Sequence, residues 1–312
     1  MMLGFLLICL TTSTLATETP IIGIISQNIP LALDHFSPGG TFIASSYVKW
    51  IESAGGRVVP LVLGSSQNFT ELLESVNGIL IAGGRSNIEN STYSRLVTQI
   101  FEYAKAANDD GDYFPIWATC LGFEFITLAS TADKIRHLAR CDAWDQHLPL
   151  NLLEDWKESR LFKKADNDIL NILTTMNVTS NFHMYCLTMD NFTRFKMDEF
   201  YIPLSTNIDK NGLEYITSVE AKNYPFYGTH FHPEKASFEI GYTRPNIPHT
   251  REAILANGHF AQFFIEEAKR SKHRFNSREI EEKSLIYSYD SQIYTGQIGV
   301  DFLYQQVYVF PV

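Results

Sequence analysis

Basic charge is scarce in this chain: 25 lysines and arginines face 35 aspartates and glutamates, for a formal net charge of −10. No extended basic block is present, so the electrostatic footprint that grips a phosphate backbone is missing, which argues against nucleic acid as a partner. Long apolar runs are also lacking. Only Met1 to Leu10 is continuously apolar, too short to cross a bilayer, and no later segment does better, which argues against a membrane-spanning protein. That first run has no basic residue before it, but small and hydroxylated residues follow it, with Thr14 and Ala16 at the minus-three and minus-one positions of a secretory cleavage site. Residues 1–16 are therefore expected to be a signal peptide.

Cysteine is rare as well, with four in 312 residues. Removal of the signal takes away Cys9 and leaves Cys120, Cys141 and Cys186, an odd number for an oxidising compartment. Pairing of Cys141 with Cys186 would leave Cys120 free; the alternative is that all three are reduced and buried. Sequons begin at Asn68, Asn90, Asn177 and Asn191, and together with the signal they point to a secreted or lysosomal glycoprotein.

What the chain does have is 45% hydrophobic residues, enough for one large α/β domain or two small ones. Ile21 to Ser26 is a β-branched run of the kind buried on both sides of a parallel sheet. A helical pattern from Ser45 to Ala54 stops at Gly55-Gly56, and Arg57 to Val62 reads as a second strand, giving a crossover unit. A short helix over Thr70 to Val76 leads to a third strand, Gly78 to Ala82, ending in Gly83-Gly84. An amphipathic helix from Tyr93 to Ala107 leads to a fourth, Pro115 to Thr119. The expected fold is thus α/β, a central mostly parallel sheet flanked by helices, of flavodoxin-like type. From about Arg136 to Lys196 the alternation fades, and this stretch is expected to supply peripheral strands and cleft walls. Leu213 to Glu220 reads as a half-exposed strand. In the tail, Leu285, Tyr287 and Tyr289 share a face of a possible strand, as do Val300 with Phe302 and Val307 with Val309. The division expected is a domain over 17–275 and an extended segment over 276–312 packed on it.

The stretch that carries chemistry is Pro115-Ile116-Trp117-Ala118-Thr119-Cys120-Leu121-Gly122. An apolar strand rising through small residues into a cysteine and a glycine describes a sharp strand-to-helix turn, which exposes a nucleophile beside the N–H groups of a helix start. A low-pKa thiolate is expected there. A nucleophilic cysteine needs a histidine, usually distant in sequence. Period-two alternation through Thr229-His230-Phe231-His232-Pro233-Glu234 puts His230, His232 and Glu234 on one face if the strand continues. His-x-His is also metal-ligand spacing, but no further ligand is announced nearby, so no metal is expected. The other reading makes His232 the general base of Cys120 and Glu234 the carboxylate that fixes its tautomer.

The run Ala118-Thr119-Cys120-Leu121-Gly122-Phe123-Glu124, with Tyr227-Gly228 and His232-Pro233-Glu234-Lys235, resembles the class I glutamine-amidotransferase-like hydrolases, and more narrowly the γ-glutamyl hydrolase family. Ser46-Tyr47-Val48-Lys49, Glu52 to Gly55, Asp109 to Pro115, Asn181-Phe182-His183 and Tyr294-Thr295-Gly296 extend the likeness over nearly the whole mature chain. The resemblance implies Cys120 as nucleophile, His232 as catalytic histidine, Glu234 as its partner and His183 as a further histidine near the substrate. It also implies Gly83, Gly84 and the Leu121 N–H as an oxyanion hole. Three positions depart from the pattern: Ala118 stands where glycine is common, Ala82 where proline often precedes the glycine pair, and Thr229-His230-Phe231 where Val-Gln-Trp is familiar.

The activity so implied is cysteine-dependent hydrolysis of γ-glutamyl amide bonds in poly-γ-glutamyl folates through a thioester, with no cofactor. Arg85, directly after the glycine pair, is a candidate for a substrate carboxylate, the alternative being a solvated loop arginine; Glu124, one turn into the helix, is a candidate for the substrate α-nitrogen, the equal alternative being a helix-capping or salt-bridge role. Two alternatives are a glutaminase, for which an exported chain offers no ammonia acceptor, and a catalytically weak folate-binding relative. A homodimer through the tail is compatible with the sequence.

Overall fold

The computed structural model describes residues 18–131, 137–241, 244–289, 291–295 and 304–312. The expected signal peptide, Gly296, and Val300 with Phe302 lie outside them. The strand Ile21–Ile25 runs parallel to Arg57–Leu61 on one side and Gly78–Ile81 on the other; Ile116–Thr119 and Phe226–Thr229 continue the parallel order. Three antiparallel strands, Glu214–Ala221, Tyr201–Ile208 and Asn151–Leu152, complete an eight-stranded sheet.

Alternation along these strands divides the core in two, because successive side chains leave opposite faces of a sheet. Ile22, Ile24, Leu80 and Trp117 face one side, against Tyr47, Trp50 and Ile51 of the helix Ser45–Ser53 and Phe260 and Phe264 of the helix Arg251–Ala268. Ile21, Ile25, Ile79, Ile81 and Ile116 face the other, against Leu96, Val97 and Ile100 of the helix Thr92–Asp109 and Phe123 and Ile126 of the helix Leu121–Ala129. Trp117 packs 5.4 Å from Trp50 and 5.9 Å from Phe264, centroid to centroid. Truncating such an aromatic to alanine costs about 3–5 kcal/mol.

Two of the expectations for strands are corrected. Glu214–Ala221 is buried at every position but Glu214, because both its faces are covered: Ile216, Val219 and Ala221 pack into one core cluster and Tyr215 against Cys141, Ala143 and Cys186. The tail does not begin as an extended segment: Arg278–Ser284 is a helix, and Leu285, Tyr287 and Tyr289 flank a 3-10 turn over Ile286–Ser288 instead of lining a strand. The chain becomes extended only later, where Gln306–Phe310 pairs with Gln292–Tyr294 and with Thr41–Ala44; Gln27–Asn28 completes this second, four-stranded sheet. Val307, Val309 and Phe310 are buried there, packed in the same core cluster as Ile22 and Trp117. The region beyond the elbow forms a two-stranded antiparallel ribbon, Ala139–Leu148 with Thr179–Cys186, closed by a Cys141–Cys186 disulfide.

Candidate active site

Cys120 sits between Ile116–Thr119 and Leu121–Ala129 with φ 53° and ψ −110°, in the left-handed half of backbone space that costs a non-glycine residue about 1–3 kcal/mol. Its amide donates to the Thr229 carbonyl at 2.9 Å and its carbonyl accepts from Glu124 at 3.1 Å, which holds the strain in place. Gly122 makes the turn possible: a Cβ there would lie 2.0 Å from the Ile81 carbonyl oxygen. Ala118 is fully buried in the apolar cluster with Ile81, Phe123 and Ile126, so the methyl that departs from the usual glycine is absorbed by the core. Cys120 is the one free cysteine among the described residues.

The strand Phe226–Thr229 ends before His230, so alternation is not what joins His232 to Glu234. A turn brings them together, with His232 Nδ1 2.7 Å from Glu234 Oε1. Both are buried. Burial alone would raise Glu234, but the charge and hydrogen bond of His232, with Lys235 nearby, hold it below the usual carboxylate range. Burial lowers His232, and Glu234 only partly offsets this. With Nδ1 engaged, Nε2 is the nitrogen left for proton transfer.

Gly83 lies between this pair and the cysteine. A methyl built on it would meet His232 Cε1 at 2.9 Å and Cys120 Cβ at 3.0 Å, so one carbon spans the gap between the two side chains. The resemblance implied that Gly83 helps to bind an oxyanion, but its amide donates to the Tyr47 hydroxyl at 2.9 Å, which also lies 3.3 Å from His232 Nδ1. The Gly83 carbonyl accepts from Gln27 Nε2 at 2.8 Å and the Tyr304 hydroxyl at 3.2 Å. In a trans peptide the N–H points opposite to the C=O, so these two bonds turn the Gly84 N–H away from Gln27 and Tyr304. Tyr304 and Gln27 line one cavity beside Gly84; Cys120 and Leu121 line the other. Of the three groups expected to form an oxyanion hole, the Gly83 amide is thus already engaged, and Gly84 and Leu121 border the cavity that holds Cys120.

That second cavity is a cleft of about 670 Å³ bordered by Arg85, Cys120, Glu124, Trp144, His183 and Tyr185. Arg85 is exposed, with its guanidinium over the Trp144 ring at 5.8 Å. His183 is buried on the ribbon strand, its Nε2 3.2 Å from Asn181 Oδ1 and its Nδ1 3.5 Å from Cys186 Sγ. Burial, with His230 and His232 nearby, pushes its pKa well below the usual histidine value. Burial also pushes the Cys120 thiol well up; Glu124 and Glu234 add to this, and the Leu121 N–H and Lys235 oppose it without reversing it. Desolvation and the two carboxylates thus work against the thiolate expected at the helix start, and one helix terminus does not offset them.

The peptidase C26 family matches residues 20–234. γ-Glutamyl hydrolase of Rattus norvegicus is 40% identical over 94% of this chain and 90% of its own. The human enzyme of that name is 39% identical with the same coverage, and γ-glutamyl hydrolase B of Dictyostelium discoideum is 34% identical over 94% of this chain and 83% of its own. The chain belongs to the γ-glutamyl hydrolases. Among solved structures, a glutamine amidotransferase from Thermotoga maritima aligns with a TM-score of 0.46 at 10% identity, covering 81% of this chain and 99% of the other. The family is one of cysteine peptidases, and a γ-glutamyl hydrolase of this kind needs one reactive cysteine, which matches the one free thiol among the described residues, Cys120. Sequence reading missed Gln27 and Tyr304 altogether. Tyr47 carried a signal, as part of the Ser46 to Lys49 motif, but not a role.

Proposed function

We propose that this γ-glutamyl hydrolase cleaves the γ-linked glutamate tails of poly-γ-glutamyl folates with Cys120 as nucleophile, His232 as acid and base, and Glu234 as the orienting carboxylate. The observation that carries the assignment is the meeting of Cys120 and His232 across Gly83, with Glu234 fixing the far side of the imidazole.

The resting pair is a neutral thiol and a neutral imidazole. Sγ attacks the γ-carbonyl carbon as His232 Nε2 takes its proton, and Glu234 stabilises the imidazolium. The carbonyl oxygen becomes an oxyanion held by the Gly84 and Leu121 N–H groups; one such donor is worth about 3 kcal/mol of barrier. The C–N bond breaks as His232 returns the proton to the leaving amine, which departs as the α-amino group of the released glutamate. Water then loses a proton to His232, adds to the thioester carbonyl and expels the Cys120 thiol, leaving a γ-carboxylate. Arg85 at the cleft mouth suits the α-carboxylates of the tail, and Trp144 beside it offers an aromatic face.

The buried Cys141–Cys186 disulfide supports passage through an oxidising compartment, in keeping with a cleaved signal over 1–16 and a secreted or lysosomal destination. Among the described residues no helix is long and apolar enough to cross a membrane.

The test is hydrolysis of a pteroyl poly-γ-glutamate beside free glutamine by the mature protein and by Cys120→Ala. Shortened folates that vanish in the variant support the reading. Release of ammonia from glutamine, with folate tails untouched, would replace it with a glutaminase; tight folate binding without turnover would replace it with a binding protein.

A further inference from the structure

His230 is a buried imidazole that the mechanism does not use. It stacks flat on His183, with ring centroids 3.7 Å apart and planes 8° from parallel, and its other face lies on Phe123 at 4.8 Å. Its backbone amide donates to the Thr217 carbonyl at 2.7 Å, which anchors it to the neighbouring strand. Nε2 lies 3.4 Å from Glu124 Oε1, whereas Nδ1 has no hydrogen-bond partner among the described residues. The only polar contact of the ring is therefore with Glu124, which borders the Cys120 cleft with its side chain one-tenth exposed.

We propose that His230 is a positioning residue that fixes Glu124, so that the carboxylate receives the α-nitrogen of the glutamyl residue whose γ-carbonyl Cys120 attacks. This rests on the reading of Glu124 as a substrate contact. Donation from Nε2–H to Oε1 removes rotamer freedom from a long carboxylate side chain, and the ring stack removes the freedom of the donor itself. A contact prepared in this way contributes to substrate binding before chemistry, so its loss raises KM and leaves kcat nearly unchanged. Burial, with His232 and His137 nearby, pushes the His230 pKa down to about 3. The ring therefore stays neutral against His183, and only one of its nitrogens carries a proton. Nε2 needs that proton to meet Glu124, which leaves the bare lone pair on Nδ1, the nitrogen without a hydrogen-bond partner.

The test is steady-state hydrolysis of a γ-glutamyl anilide by His230→Phe, His230→Gln, Glu124→Gln and the Glu124→Gln/His230→Phe double variant, with melting temperatures as the control for folding. Phenylalanine keeps the stack and loses the donor; glutamine restores a donor without the ring. We expect His230→Phe to raise KM about tenfold with kcat within about twofold, His230→Gln to recover most of that loss, and the double variant to be no worse than Glu124→Gln alone. Additive effects in the double variant, or an unchanged KM in His230→Phe when Glu124→Gln raises it, would overturn the proposal and leave Glu124 as a substrate contact. An unchanged KM in Glu124→Gln would instead remove the Glu124 reading, and His230's role with it.

Discussion

The Tyr304 hydroxyl, eight residues from the end of the chain, donates to the Gly83 carbonyl at 3.2 Å and lines a cavity that also touches Gly84. Together with Gln27 it fixes the plane of the Gly83–Gly84 peptide, and that plane decides where the Gly84 N–H points.

Tyr304→Phe should therefore lower kcat by about three- to tenfold while KM changes little, because the affected donor acts on charge that exists only in the transition state. Steady-state kinetics on a γ-glutamyl anilide reads the split. A rise in KM at constant kcat would show that Tyr304 acts on bound substrate instead.

Alkylation of Cys120 reports the protonation state of the resting site. Burial, Glu124 and Glu234 hold the thiol above its usual range, so the thiolate fraction, and with it the iodoacetamide rate, should climb about tenfold per pH unit through pH 9. A plateau beginning below pH 7 would reveal a thiolate already formed at rest.

Acid should weaken the fold through its buried histidines. His183 and His230 have folded-state pKa values below the unfolded value of about 6.5, so below pH 6.5 the unfolded chain binds protons that the folded chain refuses. Stability contributed by these neutral rings is full above pH 6.5 and is lost as pH falls toward their folded values, at about 1.4 kcal/mol per pH unit for each proton. His230→Gln should flatten the slope of denaturation free energy between pH 6.5 and pH 4.5 by about one proton. An unchanged slope would mean that His230 is protonated in the folded state.

Glycan occupancy should divide the four sequons. Asn68, Asn90 and Asn177 are exposed, but Asn191 is half-buried and its Nδ2, the atom that would carry the sugar, donates to the His137 carbonyl at 2.9 Å. Glycopeptide mass spectrometry of protein made through a secretory route should find the first three modified and Asn191 bare.

The local chemistry was legible in the chain because it depends on spacing. The β-branched strands, the helical periodicities and the small residues around Cys120 announce a parallel sheet and a sharp strand-to-helix turn, and His232 with Glu234 two residues on announces an oriented imidazole, although a turn and not strand alternation joins them. The odd cysteine count allowed a Cys141–Cys186 bridge, and the fold makes it. Misreadings came where a local rule met a long-range one. The tail segment around Tyr287 has strand-like alternation but caps a helix with a 3-10 turn. Glu214–Ala221 reads as half-exposed but is covered by neighbours that its own pattern does not name.

The amino-acid sequence by itself determined the family and singled out Cys120 and His232 as the candidate nucleophile and base, because each lies in a short run whose residue types have few other uses. Only the tertiary structure decided the burial of Cys120 beside two carboxylates, the engagement of the Gly83 amide by Tyr47, and the bonds of Gln27 and Tyr304 to the Gly83 carbonyl. Those properties arise from burial and from hydrogen bonds that join residues as far as 221 positions apart. Desolvation and peptide orientation are set by what surrounds a group in space, and no local pattern encodes them.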